Sequence, residues 1–569
     1  MAHEEAELPS VKIDRHPQYP LEGAGGLLTE TERVRKAHAT RLGRGGRWRA
    51  STWADPAGAD VASQRWHGAN HTSGKLAMNR SHVSRRTPRP LLREEMVPHF
   101  ADRTRIGCVD RSKVTLVPNA APNGTPSPDH SHRPKRALGL ASTVSIGIGG
   151  MVGGGIFAVL GLSIELSRGA APIAFLIAGG VAILTATSYA RLSVAYPSRG
   201  GTVTFLNETF GSGIFVGGLN VLLWLSYVVM ISLYAAAFAG YADSLLPGHP
   251  SAVVGHLFLS GIIIVVAVLN IARASIVGRA EEWIVAAKVA ILVLVVAFAF
   301  HGTHLSRISP GAWPDPLAII GGGMVIFVAY EGFELISNAA EDVRNPRRTL
   351  PLALYLSVGF TIALYVLVAI VTVGTLTISQ VRGASSYVLA EAARPGLGQA
   401  GFVLVAVAAL LSTTSAINAT LYGTARLSWT IARSGQLPEA FDKKVWDRPI
   451  EGLLVTTGLT LVVANAFNLN SIALTGSAAF LVIFAAVNAA AARLAKRRPQ
   501  RLLAITAAAA CVASLIALIL EERSRNPSGV VIVGGLVAGS FAMEALYRKF
   551  THRVIPSHLA LPPNTADKD

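Results

Sequence analysis

Ile146-Gly-Ile-Gly-Gly-Met-Val-Gly-Gly-Gly-Ile-Phe157 holds six glycines in twelve residues, inside an apolar run that opens at Leu138. Each glycine weakens a helix by about 1 kcal/mol relative to alanine. The run is therefore long enough to cross a bilayer yet poorly suited to continuous helix, and a break at Gly153-Gly154-Gly155 is predicted. The sixth apolar run is interrupted as well. It begins Gly321-Gly-Gly323 and continues Phe327-Val-Ala-Tyr-Glu-Gly-Phe-Glu334, placing a further glycine and two carboxylates at membrane depth. Glycine-interrupted runs at matching positions, first and sixth of ten, point to two inverted five-helix repeats with a binding site near the midplane. Unwound backbone is tolerated at that depth where its freed N–H and C=O groups face a cavity.

Outward from these stretches, apolar runs recur over 138–163, 170–195, 213–245, 252–271, 282–300, 317–340, 350–376, 397–425, 452–468, 471–494, 502–520 and 528–547. Most are long enough for a hydrocarbon core of about 30 Å. Twelve spans put both termini on one side. With a cytoplasmic amino end, the inside loops and tail carry 21 Lys and Arg and the outside loops carry 6, the bias expected of a cytoplasmic face. One cation, Lys288, falls inside a span.

The composition fits this division. The 569 residues are 51% hydrophobic and 15% charged, with a net charge of +17, whereas soluble domains carry about 25% charged residues. Residues 1–136 hold 23 Lys and Arg against 14 Asp and Glu and show no sustained apolar period. They read as a basic, disordered cytoplasmic extension, followed by a transporter domain over 137–548 and a short cytoplasmic tail over 549–569. Arg85-Arg86-Thr-Pro-Arg89 and Arg133-Pro-Lys135-Arg136 are suited to acidic headgroups or nucleic acid, but a solvated basic tail is the favoured reading and no nucleic-acid partner is expected. Cys108 and Cys511 lie too far apart for a Cys-x-x-Cys site, so neither a zinc centre nor a disulfide framework is expected. Gly153-x-Gly155-x-x-Ala158 mimics a dinucleotide fingerprint, but no strand precedes it. His-Glu-x-x-His, Gly-x-Ser-x-Gly and Walker patterns do not occur in the sequence, which disfavours an enzyme or an ATP-driven pump. No cofactor and no metal are expected.

The motifs resemble those of the amino acid–polyamine–organocation (APC) family of permeases. The likeness rests on Ile146 to Phe157, on Tyr196-Pro-Ser-Arg-Gly-Gly201, on Ala329-Tyr-Glu-Gly-Phe-Glu334 with Glu341-Asp-Val-Arg-Asn-Pro-Arg-Arg-Thr-Leu-Pro351, and on Thr424 to Pro438. It covers residues 137–548 in family order. The resemblance implies an all-α integral membrane protein with a LeuT-like 5+5 inverted repeat plus two helices, and discontinuous helices one and six. It also implies that a substrate carboxylate is held by backbone N–H groups of Gly154, Gly155 and Ile156. The substrate ammonium would be held by backbone carbonyls of Met151, Val328, Ala329 and Glu331. Half-helix amino ends attract anions and exposed carbonyls attract cations. Where relatives carry a bulky aromatic gate this chain has Val328, so Phe327 and Tyr330 become the gate candidates.

A lysine at membrane depth costs about 2.5–3.5 kcal/mol on insertion scales, and either snorkelling to the interface or a buried function must offset that for Lys288. Some proton-coupled members of the family place a lysine here, near the carbonyls of residues 149 and 152 and the hydroxyls of Ser412 to Ser415. That favours proton over sodium coupling through Lys288 and Glu334. Glu331 and Glu334 share a face if helix resumes there; Glu334 then either relays protons, selects cationic substrates or caps the half-helix. Glu341 and Asp342 read as a surface network with Arg344, Arg347 and Arg348. Trp224, Tyr227, Tyr234 and Tyr241 read as a packing stripe, with pocket lining the alternative. The expectation is a secondary transporter of amino acids or related amines in the plasma membrane, working by alternating access, with an amino-acid exchanger or a non-transporting sensor as the other readings.

Overall fold

The computed structural model describes residues 138–248, 251–272, 277–433, 435–436 and 450–551. The expectations for the extension before Leu138 and for the last residues of the tail lie outside these. Sixteen α-helices make up the described chain: α1 Leu140–Met151, α2 Gly155–Ser167, α3 Ala171–Ala195, α4 Thr202–Phe210, α5 Ile214–Ser244, α6 Ala252–Ala272, α7 Val277–Ala299, α8 Pro316–Ile326, α9 Leu335–Asn338, α10 Pro346–Thr375, α11 Ile378–Gly383, α12 Val388–Arg433, α13 Ile450–Ala466, α14 Leu469–Leu494, α15 Arg498–Arg525 and α16 Pro527–Thr551. Among the described residues there is no strand, only an isolated bridge between Leu138 and Val343. Ten helical stretches are long and apolar enough to cross a membrane, and α1 and α13 are shorter apolar helices. Each of the twelve apolar runs falls on helix. The protein is a multi-pass membrane protein.

The first run is the pair α1 and α2, separated by Val152, Gly153 and Gly154. The sixth is α8, a 3-10 turn over Phe327–Tyr330 and the four-residue α9. The eighth, α12, is longer than its apolar run and kinks at Gly398, where φ is +63°. Four pairs of runs five positions apart pack on each other: α2 on α8, α3 on α10, α5 on α12 and α6 on α13.

Successive loops alternate between two ends. At one end Arg191 reaches the Gln500 carbonyl, Arg548 the Ser212 carbonyl, and Gln436 joins Asn207 and Asn220. At the other, Arg168, Trp313, Asp315, Arg382 and Arg525 surround a cavity of about 380 Å³. Outward-facing Leu257, Val268, Leu411 and Val531 are exposed, an apolar exterior that suits contact with hydrocarbon rather than water.

Candidate functional site

The two interruptions meet backbone to backbone. A Cβ on Gly155 would lie 2.7 Å from the Ala329 Cα, and one on Gly332 would lie 2.5 Å from the Gly150 carbonyl carbon. Gly332 also has φ +113°, a region open to glycine and costly for other residues. These contacts leave no room for a side chain at either position. The residues predicted to hold substrate, Met151, Gly154, Gly155, Ile156, Val328, Ala329 and Glu331, are all buried.

At the start of α2 the N-cap is Gly154, with no side-chain cap bond. Helix amino ends leave their first N–H groups without intrahelical acceptors, so Gly155 and Ile156 present donors and the positive end of the helix dipole at the break. On the other side the carbonyls are partly engaged. The Tyr365 hydroxyl of α10 donates to the Met151 oxygen at 2.6 Å and lies 3.2 Å from the Ala329 oxygen. The Val328 carbonyl accepts the Glu331 N–H at 3.3 Å, and the Val328 N–H donates to Ser477 Oγ of α14 at 3.0 Å.

Lys288 is 3% exposed, and its Nζ donates to the Gly149 carbonyl at 3.0 Å. That geometry settles the choice posed by its depth in favour of burial over snorkelling. Ser412 donates to the Gly153 carbonyl at 2.8 Å and lies 3.3 Å from the Val152 oxygen. Thr413 and Thr414 instead donate to carbonyls of their own helix.

Glu331 and Glu334 are 4% and 1% exposed, and their carboxyl groups adjoin. They do not share a helical face. Residues 331–334 form turns, and helix resumes only at Leu335; the positive φ of Gly332 folds the segment so that the carboxyls come together. Glu334 Oε2 accepts the Gly332 N–H at 2.8 Å, Tyr227 donates to Glu334 Oε1 at 3.1 Å, and Tyr234 lies 3.4 Å from Glu331 Oε2.

Two further sequence readings need adjustment. The aromatic stripe of α5 does more than pack, since Tyr227 and Tyr234 serve the buried carboxyls and Trp224 donates to Thr456 at 3.2 Å. Gly321, Gly322 and Gly323 lie within α8 and do not unwind it; Gly322 accepts from Ser163 at 3.0 Å, and a Cβ on Gly323 would lie 2.6 Å from the Ala174 oxygen. Glu341 and Asp342 pair with Arg199 at 3.4 and 3.3 Å, which joins two of the quoted motifs. The gate candidates are buried wedges: Phe327 packs on Phe484 with ring centres 5.9 Å apart, and Tyr330 donates to the Phe175 carbonyl at 2.9 Å. Tyr365 and Ser477 were not singled out by the sequence. Each contacts the breaks across long sequence separations.

With this geometry in place, the comparisons with known proteins decide the family. Residues 138–542 match the family described as amino acid permease. The chain belongs to the amino acid permease family. It is 36% identical over 350 residues to an uncharacterized protein of Methanocaldococcus jannaschii, covering 61% of this chain and 80% of that protein. Against an inner membrane transport protein of Escherichia coli it is 35% identical over 362 residues, covering 63% and 84%. Against a branched-chain amino acid permease of Bacillus subtilis it is 28% identical over 329 residues, covering 54% and 70%. This permease is a transporter of amino acids or related substrates and not an enzyme.

Proposed function

We propose that this permease is a proton-coupled secondary transporter of amino acids, moving substrate across the plasma membrane by alternating access through twelve crossings with both termini cytoplasmic. The packing of runs one, two, three and four on runs six, seven, eight and nine supports two inverted repeats about an axis between them. The loops at the Arg191 and Arg199 end are the cation-rich set, which supports a cytoplasmic placement for that end.

In this reading the substrate carboxylate sits on the N–H groups of Gly154, Gly155 and Ile156. The ammonium sits on the carbonyls of Met151 and Ala329, with those of Val328 and Glu331 beside them. Phe327 and Tyr330 close the path. The observation that carries the reading is the meeting of an uncapped helix start with an unwound segment, Gly155 against the Ala329 backbone. One end of an α-amino acid needs donors and the other needs acceptors, and the two interruptions, packed together, carry both kinds of group.

Lys288 and Glu334 are the proton-coupling residues of the proposal. Lys288 contacts the first interruption through Gly149, so a change in its protonation acts directly on the backbone that shapes the site. Glu334 holds the Gly332 N–H and does the same for the sixth. The test is uptake of a panel of labelled amino acids into proteoliposomes, with and without an inward proton gradient, alongside counterflow. Accumulation driven by the gradient is expected. Counterflow that is indifferent to the gradient would leave an exchanger, and binding without flux would leave a sensor.

A further inference from the structure

The Tyr365 hydroxyl contacts two carbonyl oxygens from the two interruptions, Met151 at 2.6 Å and Ala329 at 3.2 Å. Its ring is fixed, fully buried between Phe175, 6.0 Å away edge-on, and Tyr330, 5.2 Å away. A hydroxyl has one proton to donate and two lone pairs to offer, whereas each carbonyl oxygen accepts two hydrogen bonds. One proton cannot serve both carbonyls fully, and the unequal distances show which it serves. The Met151 bond is short, and the Ala329 oxygen holds a long second place.

We infer that Tyr365 is the third ligand of the substrate ammonium, and that its hydroxyl stands in for that ammonium on Ala329 when no substrate is bound. This rests on the proposed function's assignment of Met151 and Ala329 to the ammonium. A primary ammonium carries three N–H donors. One goes to the Ala329 oxygen, which exchanges its long contact with Tyr365 for a charge-assisted bond. One goes to the free lone pair of Met151. The third goes to Tyr365 Oη, which keeps its own proton on Met151. Each of the three donors then has an acceptor. No covalent bond or proton transfer is involved.

The count makes the proposal specific. With three acceptors, an N-methyl amino acid, having two N–H donors, leaves one acceptor unpaired; with only two carbonyls the first methyl would leave none. A hydrogen bond to a charged group corresponds to an affinity change of about ten- to one-hundred-fold. Wild-type protein in proteoliposomes should bind an N-methyl derivative about tenfold or more weakly than its parent. Tyr365→Phe, which keeps the ring and its packing, should bind the parent more weakly and discriminate against the N-methyl derivative by a factor near one.

The ratio within one variant does not depend on how much protein is folded, and a purely structural tyrosine would leave it unchanged. Equal binding of parent and N-methyl derivative by the wild type overturns the assignment, even if Tyr365→Phe fails to fold. Discrimination that persists undiminished in Tyr365→Phe overturns it too. If the wild type binds no amino acid, the reading on which it rests fails instead.

Discussion

Between Gly147 and Phe157 the first interruption has no ionisable side chain of its own and borrows Lys288 from α7, whereas the sixth carries Glu331 and Glu334 in its own unwound turn. The lysine stands on a 23-residue helix and reaches in to a fixed backbone oxygen. The carboxylates sit on a turn whose shape depends on one glycine, and they are held from outside by the Tyr227 and Tyr234 hydroxyls of α5. One charge is therefore placed by a neighbouring helix and the others by the unwound segment itself. A buried charge costs several kcal/mol unless hydrogen bonds compensate it, and both arrangements supply them: Lys288 donates to the Gly149 carbonyl, and Glu334 accepts from the Gly332 N–H and the Tyr227 hydroxyl.

The sharpest way to break this contrast is to remove the borrowed charge. In Lys288→Ala, gradient-driven uptake is expected to fall to background while counterflow survives; uptake equal to wild type would end its role in coupling. Next comes the turn. Gly332→Ala forces a Cβ to within 2.5 Å of the Gly150 carbonyl carbon at φ +113° and should destabilise the protein by more than about 2 kcal/mol. Gly359→Ala, whose Cβ would meet nothing within 4 Å in α10, should be neutral or slightly stabilising. Thermal unfolding followed by size-exclusion chromatography compares the two.

Neutralising the carboxylates separates charge from shape. Glu334→Gln should lower the ratio of gradient-driven uptake to counterflow by about tenfold, and Glu331→Gln by less, since loss of a hydrogen bond to a charged group has about that size and the Glu331 contact to Tyr234 is longer. Ratios unchanged in both would make the pair structural. The smallest effect is expected at the surface. Arg199→Ala loses two ion pairs whose side chains are 38–49% exposed and should cost less than about 1 kcal/mol. Thermal stability measured at low and high salt checks this; a loss that does not diminish with salt would point to a role beyond charge.

The break in the first helix was legible because helix propensity is local and six glycines act within twelve residues. The same rule misled at Gly321-Gly322-Gly323, where close packing against Ser163 and Ala174 outweighs weak propensity. Tyr365 had no signature at all. It is one of two tyrosines, with Tyr355, in a long apolar helix, and its acceptors lie 214 and 36 residues away in sequence. Tyr227 and Tyr234 were visible as a seven-residue spacing, but that spacing is common to a packed seam and a lined pocket. Only the position of the carboxylates tells the two apart. Lys288 was singled out by its depth, and the family resemblance supplied its partner at residue 149 before the geometry did.

Two backbone hydrogen bonds near the start of α1, from Leu138 to the Asp342 oxygen at 3.0 Å and from Arg344 to the Leu138 oxygen at 2.8 Å, give one further consequence. They tie Leu138 to the loop that follows α9, beside the ion pairs of Arg199 with Glu341 and Asp342. The start of the first helix and the loop behind the sixth are therefore clasped to each other, and a displacement of either one is felt by the other through a single residue's backbone.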